Sequence, residues 1–174
     1  MTDRETALLA QIEAAFADVS YPGDDDLTKS SYGPESEALI RDFRGKTDWR
    51  AVSGDFLNHA AGGWGLSFFS DAALRFYLPA YMIADVRREL TSGDSPDGRL
   101  TAFLTAQTSA NKLAKVWGGG TMGEHARRCF DQFDAAQAAA VTEYLLWKLD
   151  DLGYEHPTIT EALEEYWLRR THGS

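Results

Sequence analysis

Along most of this chain apolar residues return every three or four positions, the period of a helix with one buried face. Leu8, Ile12, Ala15, Phe16 and Val19 make the first such stripe. Thr2, with Glu5 three positions on, predicts a capping box at its start. Tyr21-Pro22-Gly23 ends that helix, and the acidic run at residues 24–26 reads as a solvated loop. Pro34 followed by Glu35 and Glu37 opens a second helix, with Leu39, Ile40 and Phe43 inward and Gly45 as its stop. A brief turn around Trp49 and Val52, capped by Thr47 or Asp48, comes next, and Ser53 introduces a short helix with Phe56, Leu57 and Ala60. Gly62, Gly63 and Gly65 then surround Trp64 in a loop that needs a permissive backbone.

Residues 66–90 break the two-sided pattern. Ser70 predicts an N-cap with Asp71 in the first turn, and Arg75 is the one charged side chain between Asp71 and Asp85. A helix that is apolar nearly all round must be covered on every side, so this segment is expected at the centre of the fold. Pro79 lies inside it and brings no N–H donor. The segment is either one kinked helix running to Leu90, which is the preferred reading, or two helices parted between Tyr77 and Pro79.

The clearest loop covers residues 91–98. Leu100, Phe103 and Leu104 predict a helix over 99–107, and a weaker segment at 111–117 ends in three glycines. Thr121 with Glu124 predicts a capped short helix, although residues 129–133 break its period. Asp134 with Gln137 opens a long helix through Val141, Leu145, Leu149 and Leu152 to Gly153. Pro157-Thr158 with Glu161 opens the last, which carries Leu163, Tyr166, Trp167 and Leu168. Short strands fit residues 66–69 or 128–133. The pattern therefore predicts an all-α fold with at most one or two short strands. It predicts a single compact multi-helix domain over residues 1–174, centred on the Pro79 helix, with residues 171–174 as a disordered tail.

Composition agrees with that class. A chain of 174 residues, 44% hydrophobic and 25% charged, is large enough for one real core. Cys129 is the single cysteine, which excludes an internal disulfide framework and fits a reducing cytoplasm. No basic stretch followed by an apolar core opens the chain, so no signal peptide is expected. The apolar run at 76–84 is too short to span a bilayer. Lys and Arg total 17 against 27 Asp and Glu, a net charge of −10. That field repels phosphate backbones and turns the search for partners from nucleic acid toward basic proteins.

Leu66-Ser67-Phe68-Phe69-Ser70 followed by Ala73-x-Arg75-Phe76-Tyr77-Leu78-Pro79-Ala80-Tyr81 resembles the core motif of an uncharacterised bacterial protein family, a domain of unknown function. Ile12-x-x-Ala15-Phe16, Tyr21-Pro22-Gly23, Phe43-x-Gly45 and Phe133-x-x-x-Gln137 agree with it in outline. The resemblance extends to about Leu152 and makes the final helix an addition. It brings no activity, cofactor or site residue with it.

Candidate chemistry is sparse. His125 and Cys129 have helical ligand spacing, but Arg127 and Arg128 lie between them and no second close ligand pair exists, so no metal site is expected. His172 falls in the polar tail. Residues 115–123 are glycine-rich but lack the Gly-Lys-Ser/Thr ending of a nucleotide loop. Glu164 with Glu165 and Asp150 with Asp151 are sequence neighbours and do not face one another on a helix. No catalytic residue and no cofactor is assigned. The best binding candidates are Arg75 with Tyr77, Tyr81 and Trp64, as an anion anchor with aromatic walls. The competing reading pairs Arg75 with a carboxylate and places both tyrosines in the core. The leading functional expectation is a non-catalytic cytoplasmic interaction module for a basic protein partner, such as an adaptor or an immunity-like binder. The alternatives are a small-molecule or anion-binding protein using those four residues, and a homo-oligomer joined through Tyr166, Trp167 and Leu168.

Overall fold

A computed structural model describes residues 1–30, 33–91, 93–115 and 119–171. Among them the regular structure is helical and no sheet forms; the extended pairings are two isolated bridges, Thr28 with Phe69 and Lys112 with Thr121. The fold is all-α, as the pattern predicts. The chain falls into two compact units, residues 1–99 and 100–174.

In the first unit, α1 (Asp3–Ala15), α2 (Pro34–Phe43), α3 (Gly54–His59) and α4 (Gly65–Phe68) precede α5 (Asp71–Val86). Predicted side-chain caps start three of these helices. The Thr2–Glu5 capping box starts α1, Ser53 accepts from the Phe56 N–H at α3, and Ser70 accepts from the Ala73 N–H at α5. Such caps are each worth about 1 kcal/mol. Twelve of the sixteen residues of α5 are buried, Pro79 among them, and α1, α3 and the 3-10 turn Trp49–Ala51 pack against it. Pro79 lies within one continuous helix and does not separate two.

Three local expectations change. Residues 66–69 form no strand: Leu66 to Phe68 belong to α4, and Phe69 alone bridges to Thr28. The central helix ends at Val86 and not at Leu90. Arg88 turns left-handed at φ 59°, its N–H returns to the Asp85 carbonyl, and the Glu89 N–H returns to Ala84. This is a Schellman ending made without the usual glycine. Asp24 is also more than a solvated acid, since its carboxylate accepts from the Gly45 N–H at 2.8 Å and from the Tyr21 hydroxyl at 2.5 Å. Burial and that carboxylate push Tyr21 up to about 12.

α6 (Pro96–Thr101) crosses from residues of the first unit into the second, which continues with α7 (Ala106–Ser109), α8 (Met122–Asp131) and α9 (Ala135–Leu152). α10 (Pro157–Ala162) passes through a π turn, Leu163–Trp167, into α11 (Leu168–Thr171). The helix predicted over 99–107 is broken because Phe103 takes φ 62° at the surface, while Leu100 and Leu104 stay buried. Residues 128–131 continue α8 instead of breaking it or forming a strand, with Cys129 and Phe130 inward. Tyr166 and Trp167 are core residues of this unit, while Leu168 is half-buried: the Trp167 ring lies 5.0 Å from Phe130, and its indole N–H donates to the Leu100 carbonyl at 2.9 Å. Thr171 is helical, which corrects the predicted tail at that position; residues 172–174 lie outside the described residues. So do Val116, Trp117 and Gly118, on which the weak 111–117 segment and the glycine-loop reading partly fell.

The end of α5 is tied to the start of α1. Arg88 Nη1 donates to Glu5 Oε1 at 2.9 Å, and the other Glu5 oxygen accepts from the Thr2 N–H at 2.7 Å. The Thr2 hydrogen bond, then Arg88, holds the Glu5 carboxyl at about 2, below its ordinary 4.5. A carboxyl lowered by folding contributes stability that is present above its unfolded value and lost as pH falls through its folded one. Denaturant melts recorded from pH 7 to pH 2 should therefore show Glu5→Gln less stable than the parent at neutral pH, with the two converging between pH 4.5 and about 2. Parallel curves across that window would mean that the pair contributes nothing.

Candidate functional site

The four residues singled out by sequence do not assemble. One helical residue advances about 100°, so Tyr77 and Tyr81 share a face while Arg75 stands about 200° from the first of them. Tyr77 is fully buried at the hub of an aromatic cluster, with ring centroids 4.8 Å from Phe43, 5.1 Å from Phe69 and 4.8 Å from Phe76. Its hydroxyl donates to the Lys46 carbonyl at 2.8 Å. Burial raises its pKa well above the tyrosine range. Tyr81 is equally buried, and its hydroxyl points at the α-carbon of Gly65 with no hydrogen-bond partner among the described residues. Arg75 is half-buried and engaged by neighbours. Trp64 is 53% exposed, and its indole edge lies against Gly93.

Beside Tyr81, Asp94 locks this region together. It is buried, and accepts from the Ser67 N–H at 3.2 Å and the Ser67 hydroxyl at 3.3 Å. Burial raises its pKa, against the hydrogen bonds from Ser67 and Leu66 that lower it. On the other side of the motif, the Ser70 hydroxyl donates to the Asp26 carbonyl and the Thr28 hydroxyl to the Phe68 carbonyl, at 2.6 and 3.0 Å. The segment from Leu66 to Ser70 is thus stitched to two loops.

A cleft of about 420 Å³ opens elsewhere on the first unit. Ala80, Ile83, Ala84 and Arg87 of α5 lie along one side of it, at the i, i+3, i+4, i+7 spacing of a single helix face. Trp49 through Gly54 form another side, and Glu13 of α1 and Glu89 complete the lining. Small residues make the space: Ala51, Gly54, Ala80 and Ala84 project little or nothing into it. Arg50 is already engaged, with Nη2 donating to the Ala17 carbonyl at 3.3 Å, Asp48 at 3.9 Å and its guanidinium 4.4 Å over the Trp49 ring. Glu13, Arg87 and Glu89 are exposed, and their charged groups have no hydrogen bond or ion pair to the described residues. Trp49 is 2% exposed and its indole N–H has no acceptor among the described residues. Glu13 sits in the last turn of α1, where the helix's carbonyl end repels a carboxylate and no basic residue compensates.

A second depression, at Arg41, Asp42, Asp55, Phe56, His59 and Ala60, has its charges committed to structure. Arg41 pairs with Asp42 at 2.8 Å, and Asp42 accepts from the N–H of Ala61, which it holds at a left-handed φ of 50°. Neither this depression nor the 420 Å³ cleft is lined by any of the four predicted residues. Sequence reasoning used Trp49 only as a turn residue and missed Glu13, Arg87 and Glu89. The visible signal was the small-residue stripe of α5 ending in arginine.

Fold and cleft together define a helical protein whose first unit wraps short helices around a proline-bearing central one. The chain belongs to a family of unknown function, DUF6714, whose model matches residues 4–171. That span includes α10 and α11, so the last helix is part of the family's chain and no addition beyond Leu152. No curated protein and no solved structure matches it.

The geometry at Gly65 generates a paired test. A methyl group there would collide with the Tyr81 hydroxyl, so Gly65→Ala should cost about 1–3 kcal/mol in urea unfolding. Tyr81→Phe removes a buried hydroxyl that lacks a partner, and should raise stability by about 1 kcal/mol. The double variant should recover most of the Gly65→Ala loss. Equal additive losses in both single variants would show that the hydroxyl makes a bond of its own.

Proposed function

We propose that this protein is a non-catalytic binding module that receives a basic segment of a protein partner in the cleft between α1, α5 and residues 49–54. The observation that carries this reading is the pair of carboxylates, Glu13 and Glu89, that line the cleft without a cation among the described residues. A carboxylate at the carbonyl end of a helix gains from any cation brought to it. The first unit as a whole has 10 Lys and Arg against 17 Asp and Glu, so its field attracts such a partner before contact. The lining of α5 is apolar and small, which suits the aliphatic stem of a lysine or arginine. A cytoplasmic setting, where the one thiol stays reduced, belongs to the same reading. Among the described residues no helix is long and apolar enough to cross a membrane.

Titration of short fluorescent peptides containing Lys or Arg tests it. Saturable binding is expected, weakening as salt screens the charges. Glu13→Gln with Glu89→Gln should weaken it about tenfold, or ~1.4 kcal/mol, with the fold intact. Absence of saturable binding, or affinity indifferent to both substitutions, would defeat the proposal. Saturable binding of inorganic phosphate that competes with the peptide would turn the cleft into an anion site instead.

A further inference from the structure

We infer that the element recognised is the carboxyl terminus of the partner, ending in lysine or arginine and laid about three residues deep along α5. This rests on the cleft being a site for a basic segment, and adds what the cleft's donors require. One cationic donor in the lining lacks an acceptor: Arg87 is exposed with no ion pair to the described residues. Two acceptor groups, the carboxylates of Glu13 and Glu89, lack donors.

A basic side chain alone answers the carboxylates and leaves the guanidinium as it is. An acidic or phosphorylated group answers the guanidinium and meets repulsion from Glu13 and Glu89. A terminal lysine or arginine carries both complements within one residue: its α-carboxylate for the guanidinium, and its side-chain cation for the glutamates. Guanidinium with carboxylate is the pairing in which arginine's fork geometry is strongest.

Size selects the source. From Ala80 to Arg87 the helix face advances about 10 Å at 1.5 Å per residue. An extended chain covers that distance in about three residues. A free amino acid presents the same charges but fills only part of the face, so the inference commits to a peptide end. Capture of a peptide terminus by oriented donors is an established mode of recognition.

Full-length protein is titrated with a labelled peptide ending in Ala-Ala-Arg with a free carboxylate, with its carboxamide, and with free arginine as competitor. The free acid should bind at least tenfold more tightly than the amide. Arg87→Gln should abolish that difference by weakening the free acid; Arg87 is exposed and without an ion pair to the described residues, so the variant keeps the fold. Equal binding of acid and amide would overturn the inference and leave the basic-segment reading standing. Failure of both peptides to bind would remove the reading and the inference together. Free arginine competing as well as the peptide would also overturn it, by making the site one for an amino acid.

Discussion

Everything in the first unit depends on α5 having no wet side. A sixteen-residue helix with twelve buried positions cannot stand against one neighbour; it has to be enclosed. Burial of each large apolar side chain is worth about 1.5–3 kcal/mol, and that gain is realised only when every direction is covered. Short helices meet this need better than long ones, because each covers a sector and then turns away. The brief α3 and α4 and the 3-10 turn at Trp49 are the consequence, and the loops between them must pass close to α5.

Close passage has a cost in polar groups, and the tyrosines show both outcomes. Tyr77 places its ring among Phe43, Phe69 and Phe76 and still reaches the Lys46 carbonyl, so its hydroxyl is buried with a partner. The Tyr81 ring lies 6.3 Å from Phe69, and its hydroxyl ends against Gly65, where only the absence of a side chain makes room. That glycine is fixed by steric need and not by backbone conformation, since its φ is not left-handed. Asp94 performs the complementary task, holding Ser67 so that α4 stays in place over the helix.

The elements legible in the sequence were those with a local signature. Thr2 with Glu5, Thr121 with Glu124, Asp134 with Gln137, and Pro34 and Pro157 at first helical positions mark helix starts that the structure places where they were expected. Helix ends were harder where no glycine stands. Arg88 and Phe103 turn left-handed as non-glycine residues, and neither composition nor period announces that. The π turn at Leu163–Trp167 is similar: Leu163, Tyr166 and Trp167 keep the i, i+3, i+4 spacing of an ordinary helix, so the pattern gives no sign of it. At the level of the site, grouping Arg75 with Tyr77 and Tyr81 by proximity in sequence overlooked the angle between them.

The same angular reasoning explains why the cleft lies where it does. Ala80, Ile83 and Ala84 are buried, yet two of the three are alanines, too small to meet the turn at Trp49–Ala51 along their whole length. Larger residues at Ala80 and Ala84 would have closed the gap and gained apolar burial, and the charged groups around it would then border nothing. Instead the face narrows to methyl groups, and two carboxylates and a guanidinium with no hydrogen bond or ion pair to the described residues surround the space left over. Charged side chains that stabilise a fold are tied to something, as Glu5, Asp24, Asp42 and Asp94 are here. Exposed charges without a partner occur elsewhere on this unit too, Asp18, Asp25 and Glu37 among them; what sets Glu13, Arg87 and Glu89 apart is that they border a gap between small residues, and that position is the physical ground for the proposal made for this cleft.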